Sequence, residues 1–240
     1  MDGNGRWAKK RLLPRIAGHK KGLDSIRVII KSAITYNISN VTLYAFSTEN
    51  WNRPSEEIDG LMVLFSDSID SQTDRLIKNN IRVCIFGDIS LFTKELQTKI
   101  KALIKKSSLN TGLKLNIALN YGARSEILMA ANKAINKKSG VMLESDLTDN
   151  LYTKGMPDVD LLIRTGGQKR LSNFLLWQIA YSELYFIDTL WPDFSDKDFV
   201  SAIYFFQNTV RKFGNLKGCL LYTSDAADDL LCVDLGGRRI

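Results

Sequence analysis

Short apolar runs alternate with amphipathic stretches along most of the chain. Five runs have the length of β-strands and are bounded by polar residues or glycine: 41–46, 82–87, 113–119, 160–163 and 184–187. Between these runs apolar residues recur at helical spacing, and the clearest series is Ile58, Leu61, Met62, Phe65, Ile69 and Leu76. Strands that alternate with helices are typical of a parallel sheet covered on both faces. The pattern therefore predicts an α/β fold with a central, mostly parallel β-sheet flanked by helices.

Polar clusters follow four of the predicted strands, at the point where each strand ends. They occupy the segments 47–53, 87–88, 120–124 and 164–167. In folds of this class ligands bind at the carboxyl ends of the strands. The sequence therefore predicts that these four segments form one site.

The size of the chain is that of a single domain. Its 240 residues are 45% hydrophobic, which is enough for one sizeable core, and we predict one domain over residues 1–218. The three cysteines show neither disulfide nor metal-ligand spacing, which is typical of a reducing cytoplasm. We find no apolar run of membrane-spanning length and no signal peptide at Met1, so we expect a cytoplasmic protein.

The net charge of +7 favours an anionic partner. Nucleic acid, anionic lipid and phosphorylated small molecules all meet that requirement. The basic residues form no continuous stripe, and several of them lie beside glycine in predicted loops. This distribution favours phosphorylated small molecules over nucleic acid.

The segment 2–6, with sequence Asp-Gly-Asn-Gly-Arg, is a candidate anion site. Glycine lets backbone N–H groups approach an anion closely, and the start of a helix favours negative charge. Arg15 and His19 follow in a helical stretch and could complete a phosphate cradle. The segment lacks the Gly-Lys-Ser/Thr ending of a P-loop, and a solvated turn is the alternative interpretation.

A second candidate anion site lies in the segment 164–172. Arg164 and Arg170 flank a glycine pair there, and two guanidinium groups suit a diphosphate better than a single carboxylate. Surface arginines beside a turn are the alternative. Asn50 and Trp51 follow another strand, where the indole could either pack in the core or close over an apolar substrate.

Candidate metal ligands are oxygen atoms. His19 is the only histidine, which excludes a histidine-rich metal site. Carboxylates such as those of Asp2 and Glu183 suit Mg²⁺.

Five motifs in order resemble the signature blocks of the cis-prenyltransferases, of the bacterial undecaprenyl diphosphate synthase type. They are residues 1–8, 44–54, 120–122, 163–167 and 172–184. The resemblance covers residues 1 to about 218. The trans-prenyltransferases instead use aspartate-rich repeats on helices, and this sequence has none.

The resemblance implies an enzyme that condenses isopentenyl diphosphate units onto an allylic diphosphate, farnesyl diphosphate, with Mg²⁺ as cofactor. The product would be a long-chain cis-polyprenyl diphosphate, the undecaprenyl carrier-lipid precursor for cell-wall synthesis. We predict that the helix over 58–76 and the strands at Ala45 and Leu113 form the walls of an apolar tunnel for it. The resemblance also implies a homodimer and peripheral contact with the inner membrane face for product release.

The resemblance assigns roles to individual positions. The catalytic residues would be Asp2 and Asn50, of which Asn50 matches a proposed proton acceptor. The allylic diphosphate would be held by Gly3, Asn4, Gly5, Arg6, Trp7, Arg15, His19 and Arg53. The reacting carbons would be bordered by Ser47, Thr48, Glu49 and Trp51. Isopentenyl diphosphate would be bound by Arg164, Arg170, Leu171 and Ser172. The metal ligands would be Asp2 and Glu183.

Three features depart from the family pattern. Gln168 stands where a glutamate is usual, which alters the charge near the second anion site. Lys212 replaces an arginine in a segment that, in the family, reaches the partner subunit's active site, and lysine lacks the guanidinium fork. Only Met1 precedes Asp2, where the family has a buried strand, so we expect a truncated start and a groove in the sheet beside Met1.

Residues 219–240 resemble a translated sequencing adapter. We predict that this segment is a non-biological tail whose deletion leaves the melting temperature unchanged. A genuine acidic tail is the alternative.

Two other functions are compatible with parts of the sequence. A non-catalytic cis-prenyltransferase-like subunit is disfavoured, because the chain keeps the family's key residues Asp2, Asn50, Arg164, Arg170 and Glu183. A synthase of shorter cis-prenyl diphosphates would carry the same residues, and only its product would differ.

Overall fold

The computed structural model describes residues 1–137 and 140–211, in which helices alternate with parallel strands. The strands are β1 Asn40–Ser47, β2 Arg82–Phe86, β3 Lys114–Tyr121, β4 Leu161–Arg164 and β5 Glu183–Phe186. The helices are α1 Asn4–Lys10, α2 Arg15–Thr35, α3 Ser55–Lys78, α4 Lys94–Ser107, α5 Ala123–Lys137, α6 Glu144–Thr148 and α7 Asp196–Gln207. Every strand pair is parallel, which confirms the predicted α/β class.

The strands form two sheets, where the sequence pattern predicts one central sheet. One sheet has the order β1-β3-β2, and the other pairs β4 with β5. Within the described residues, no backbone hydrogen bond joins β1 to β4. Both strands line the same cavity, and Met1 lies in its wall. A groove therefore separates the two sheets beside Met1, as the sequence predicts.

Helices cover both faces of the three-stranded sheet. On one face, Ile29 of α2 and Phe199 of α7 pack against Leu43 of β1. On the other face, α3 and α4 contribute Leu61 and Ile100 to a cluster around the buried Phe46, Phe92 and Leu119. Because β1 and β3 have helices on both sides, their carboxyl ends are held at one rigid edge.

Helix α3 forms one wall of the site, and its ends explain its bounds. Pro54 stands immediately before the helix, where a fixed φ and a missing N–H cost little. Glu56 in the first turn and Lys78 in the last turn complement the helix dipole. The helix of Ser55–Lys78 contains the predicted span of 58–76.

Residues 1–208 form one compact unit. The predictions about Lys212 and about residues 219–240 lie outside the described residues. None of the described helices is long and apolar enough to cross a membrane.

Candidate active site

A cavity of about 1170 Å³ opens between β1 and β4. Fifteen of the predicted site residues line it: Asp2, Gly3, Asn4, Gly5, Arg6, Arg15, His19, Ser47, Glu49, Asn50, Arg53, Arg164, Arg170, Leu171 and Ser172. These residues come from the segments 2–6, 15–19, 47–53 and 164–172, whereas the segments 87–88 and 120–124, which the sequence predicts in the same site, do not line the cavity. The structure therefore brings both predicted anion sites into one cavity.

Asp2 lies where the two anion sites meet. Its carboxylate accepts a hydrogen bond from Arg164 Nη2 at 3.0 Å and pairs with Arg6 Nη2 at 3.2 Å. Burial alone would raise the pKa of Asp2, but the hydrogen bond from Arg164 and the charge of Arg6 lower it overall. The carboxylate is therefore ionised at neutral pH. Gly3 follows with a φ of 111°, a conformation that suits glycine and turns the chain into α1.

Three cationic or titratable side chains surround one buried carboxylate beside the first anion site. Glu57 is 7% exposed and receives Arg15 Nε at 2.8 Å and Arg53 Nη1 at 2.9 Å. His19 Nε2 lies 3.4 Å from the same carboxylate. Burial would raise the pKa of Glu57, but the hydrogen bond from Arg15 and the charge of Arg53 lower it. Glu57 thus holds Arg15, His19 and Arg53 together at the cavity wall, where they can face a diphosphate.

Arg164 joins the two anion sites. Its side chain is 13% exposed, and its Nη1 donates to the Arg170 carbonyl and, at 2.8 Å, to Ser172 Oγ. Its Nη2 reaches Asp2 on the opposite side. Arg170 in turn donates from Nη1 to the side-chain oxygen of Gln168. The family departure at Gln168 therefore places an amide against the guanidinium of the second site.

The polar segment after β1 is a short 3-10 helix, Thr48–Asn52, with a defined cap. The Ser47 N–H donates to Asn50 Oδ1 at 3.1 Å. This hydrogen bond orients the Asn50 amide at the cavity edge.

Asn173 connects this segment to the second anion site. Its Nδ2 donates to Glu49 Oε1 at 2.8 Å, and its Oδ1 accepts from the Arg124 N–H at 2.9 Å. Burial would raise the pKa of Glu49, but the hydrogen bond from Asn173 contributes to an overall lowering. A Cβ at Gly122 would lie 2.7 Å from both Asn173 Nδ2 and Thr48 Oγ1, so the close approach requires glycine there.

The two tryptophans that the sequence predicts in the site, Trp7 and Trp51, make packing contacts within the protein. The Trp7 indole is buried and donates to Asp193 Oδ1 at 2.6 Å, so this side chain supports α1 and is not part of the cavity lining. Trp51 packs edge-on against Phe46 and donates to Asn120 Oδ1 at 2.9 Å. This packing favours the interpretation of Trp51 as a core residue. Thr48 likewise packs against Gly122 and is not among the residues that line the cavity.

The structure separates the two predicted metal ligands. Glu183 pairs with Leu161 at the start of β4, whereas Asp2 contacts Arg164 at its end. Three strand residues span roughly 10 Å, so the backbone contacts of these two residues lie at opposite ends of β4. Among the described residues no cluster of three metal-ligating side chains exists. Asp2 still fits Mg²⁺, since this ion is commonly held by one or two carboxylates and the phosphates of the substrate.

The deeper part of the cavity is apolar. Its lining includes Leu23, Ala45, Leu61, Leu64 and Phe65, from α2, β1 and α3. The predicted tunnel walls at Ala45 and along α3 are therefore present. Leu113, which the sequence suggested as a further wall, is buried in the core with Ile29 and Leu43.

Comparison with known proteins identifies the family. The sequence profile of the family described as "Putative undecaprenyl diphosphate synthase" matches residues 1–214. The chain belongs to this prenyltransferase family. An isoprenyl transferase of Listeria monocytogenes serotype 4b (strain F2365) is 50% identical over 222 residues, which are 90% of this chain and 88% of that protein. The cis-prenyltransferase resemblance is thereby confirmed.

Other relatives of this prenyltransferase agree. A Photorhabdus laumondii protein is named ditrans,polycis-undecaprenyl-diphosphate synthase, (2E,6E)-farnesyl-diphosphate specific. It is 48% identical over 220 residues, 89% of this chain and 87% of its own. The crystal structure of lavandulyl diphosphate synthase from Lavandula x intermedia, in complex with dimethylallyl diphosphate, has a TM-score of 0.86 and 33% identity, covering 90% of this chain and 95% of its own. A "probable undecaprenyl diphosphate synthase" of Campylobacter jejuni has a TM-score of 0.75 and 40% identity over 82% of this chain and 93% of its own.

Three residues of the prenyltransferase site escaped the sequence analysis. Glu57 had a usable signal, because it stands four positions after Arg53 on a predicted helix, where an ion pair is favourable. Thr165 and Asn173 lie within the motifs 163–167 and 172–184, but their contacts are with distant segments, and no local pattern indicates a role for either.

Proposed function

We propose that this prenyltransferase condenses isopentenyl diphosphate with an allylic diphosphate, farnesyl diphosphate, to give a long-chain cis-polyprenyl diphosphate. The observation that carries the proposal is the cavity itself. Two arginine-lined sites meet at Asp2 through Arg164, and an apolar chamber extends from them between β1 and α3. The relatives named for undecaprenyl diphosphate synthesis support the same chemistry.

The first anion site suits the departing diphosphate. As the allylic C1–O bond breaks, negative charge collects on the diphosphate, and cations fixed around it stabilise the transition state. Arg15 and Arg53, which Glu57 holds together, would supply this positive charge, and His19, whose pKa is lowered by burial, would contribute a hydrogen bond. Mg²⁺ bound by Asp2 and the diphosphate would add positive charge at the same place.

The second anion site suits isopentenyl diphosphate. Arg164, Arg170 and Ser172 would hold its diphosphate, so that its double bond attacks the allylic C1 from a fixed direction. The new C–C bond forms as the C1–O bond breaks, and a proton then leaves C2 of the isopentenyl unit. The Asn50 amide, oriented by Ser47, is the candidate first acceptor of that proton.

The apolar chamber suits the growing chain. Burial contributes about 0.8 kcal/mol per CH₂, so each added five-carbon unit gains roughly 3–4 kcal/mol. The lining of Leu61, Leu64 and Phe65 provides such surface. We also propose a homodimer in the cytoplasm that contacts the membrane when it releases its apolar product.

The test is incubation with farnesyl diphosphate, labelled isopentenyl diphosphate and Mg²⁺, followed by sizing of the product. Long-chain product from the wild type and none from an Asp2→Asn variant is the expected result. Short products as the main species would favour the shorter-chain alternative. Binding of both substrates without turnover would favour the non-catalytic subunit.

A further inference from the structure

Thr165 holds the backbone of Asp2 from both sides. Its side chain is almost fully buried, with 1% of the residue exposed, directly after β4. The hydroxyl accepts a hydrogen bond from the Asp2 N–H at 2.9 Å and donates to the Asp2 carbonyl at 2.8 Å. The Trp191 N–H donates to the same carbonyl at 3.0 Å. One buried hydroxyl thus satisfies both backbone groups of a residue 163 positions away.

Asp2 needs such an anchor because it lies outside any helix or strand. Helix α1 begins only at Asn4. The loop after β4 also comes very close, since a Cβ at Gly166 would lie 2.5 Å from Arg6 Nη2 and 3.1 Å from the Asp2 carbonyl. The segment after β4 therefore sets where the Asp2 backbone lies, and with it the place of the carboxylate.

We propose that Thr165 is a positioning residue that fixes the Asp2 carboxylate for the condensation, which rests on the proposed function. A displacement near 1 Å of a reacting group can cost about a hundredfold in rate. The hydroxyl of Thr165 is the group that prevents such a displacement, and its methyl group is dispensable for this role.

Two substitutions separate these parts of the side chain. Thr165→Val keeps the shape and removes the hydroxyl, whereas Thr165→Ser keeps the hydroxyl. We expect Thr165→Val to lower kcat by about thirtyfold or more, with the KM for isopentenyl diphosphate changed by less than about threefold. Thr165→Ser should retain kcat within about threefold. Thr73→Val removes a similarly buried hydroxyl on α3, away from the cavity, and should leave kcat within about twofold.

Amide hydrogen exchange at Asp2 supplies a measurement that does not depend on catalysis. We expect the Asp2 N–H to exchange about tenfold faster in Thr165→Val than in Thr165→Ser. If the wild type made no condensation product, the proposed function would fail, while this exchange comparison would still test the anchor. Should Thr165→Val not fold, Thr165→Cys gives the same comparison, because a thiol is a weak hydrogen-bonding group.

The proposal is overturned if Thr165→Val and Thr165→Ser lose activity equally, or if the Asp2 amide exchanges at the same rate in both. Equal losses of melting temperature with equal losses of kcat would identify a purely structural role for Thr165.

Discussion

Arg164 is a side chain through which the two anion sites touch. Its guanidinium contacts Asp2 on one side and Ser172 on the other, while Arg170 contacts the second site alone. The two arginines therefore differ in ways that the sequence does not show.

Removing each arginine should separate these roles. Leaving a desolvated phosphate without its charged partner typically costs about 2–5 kcal/mol. We expect Arg170→Ala to raise the KM for isopentenyl diphosphate by about tenfold or more, and the KM for the allylic substrate by less than about threefold. Arg164→Ala should raise the same KM and also lower kcat, since Asp2 loses one of its two cationic partners. Steady-state kinetics with each substrate varied would measure this, and a larger rise in the allylic KM for both variants would show that the two sites are assigned the wrong way round.

His19 should make stability fall as the solution becomes mildly acidic. Burial, then the charge of Arg53, lowers the pKa of His19 below its usual value, although Glu57 acts in the opposite direction. In the unfolded chain the imidazole takes up a proton near its ordinary pKa of about 6.5, so below that pH proton binding favours unfolding. In urea titrations of the wild type, the urea concentration at the unfolding midpoint should be lower at about pH 5.5 than at about pH 7.5. The urea midpoint of a His19→Gln variant should fall less over the same pH range. Parallel curves for the two proteins would contradict this.

Fifteen of the site residues predicted from the sequence line the cavity, but the sequence did not show the contacts between them. Asp2, Arg15 and Arg164 stand in motifs that are contiguous or nearly so, and such motifs can be read one segment at a time. Thr165 lies inside one of these motifs, yet its partner is 163 positions away. A hydroxyl that bonds to a distant backbone leaves no periodicity or spacing in the sequence.

At the scale of elements, two loops carry the halves of the site. The 3-10 helix after β1 carries Asn50, and the loop after β4 carries Ser172. The bond between Asn173 and Glu49 is the hydrogen bond that ties these elements together at the cavity edge. Their relative position should therefore respond to a change at Asn173.

The variant Asn173→Asp keeps the acceptor for Arg124 but places two carboxylates face to face at Glu49. We expect kcat/KM to fall by about tenfold because the loops separate. Adding Glu49→Gln restores a donor between them, and the double variant should recover by about fivefold or more over Asn173→Asp. Asn132→Asp on the exposed face of α5 makes the same chemical change as a control. Losses that simply multiply in the double variant would show that the two side chains act independently.

The boundaries of the elements were predictable because helices and strands follow local periodicity. The apolar run 160–163 predicts β4, which occupies Leu161–Arg164, and the series on 58–76 predicts α3. The environment of Trp51 was not predictable. An indole after a strand can pack in the core or against a substrate equally well. The contacts of Trp51 with Phe46 and Asn120, which form only in the folded chain, favour the core.

At the scale of the whole molecule, the sheet is interrupted between β1 and β4. The sequence predicts this groove from the motif that begins at Asp2, since the motif suits the end of a buried strand. The apolar walls of the groove include Ile29, Leu43, Phe194 and Phe199. An extended apolar segment entering it would find backbone groups on both sides.

We expect an extension of about five β-branched residues before Met1 to raise both stability and activity. Each backbone hydrogen bond gained contributes about 1 kcal/mol net, and 1 kcal/mol shifts the melting temperature of a chain of this size by about 2–4 °C. A rise of about 5 °C or more is therefore expected, measured by calorimetry or thermal unfolding. A glycine-serine extension of equal length is the control. Equal melting temperatures and activities for both extensions would show that the groove does not accept a strand.

The open groove also affects how the protein behaves at high concentration. The facing edges of β1 and β4 offer backbone donors and acceptors to any extended chain, including one from a neighbouring molecule. The initial rate of such pairing between two molecules rises with the square of the protein concentration. Pairing with a strand of the same chain does not depend on the protein concentration. Turbidity and loss of monomer should therefore increase steeply with protein concentration. A strand that fills the groove should reduce both.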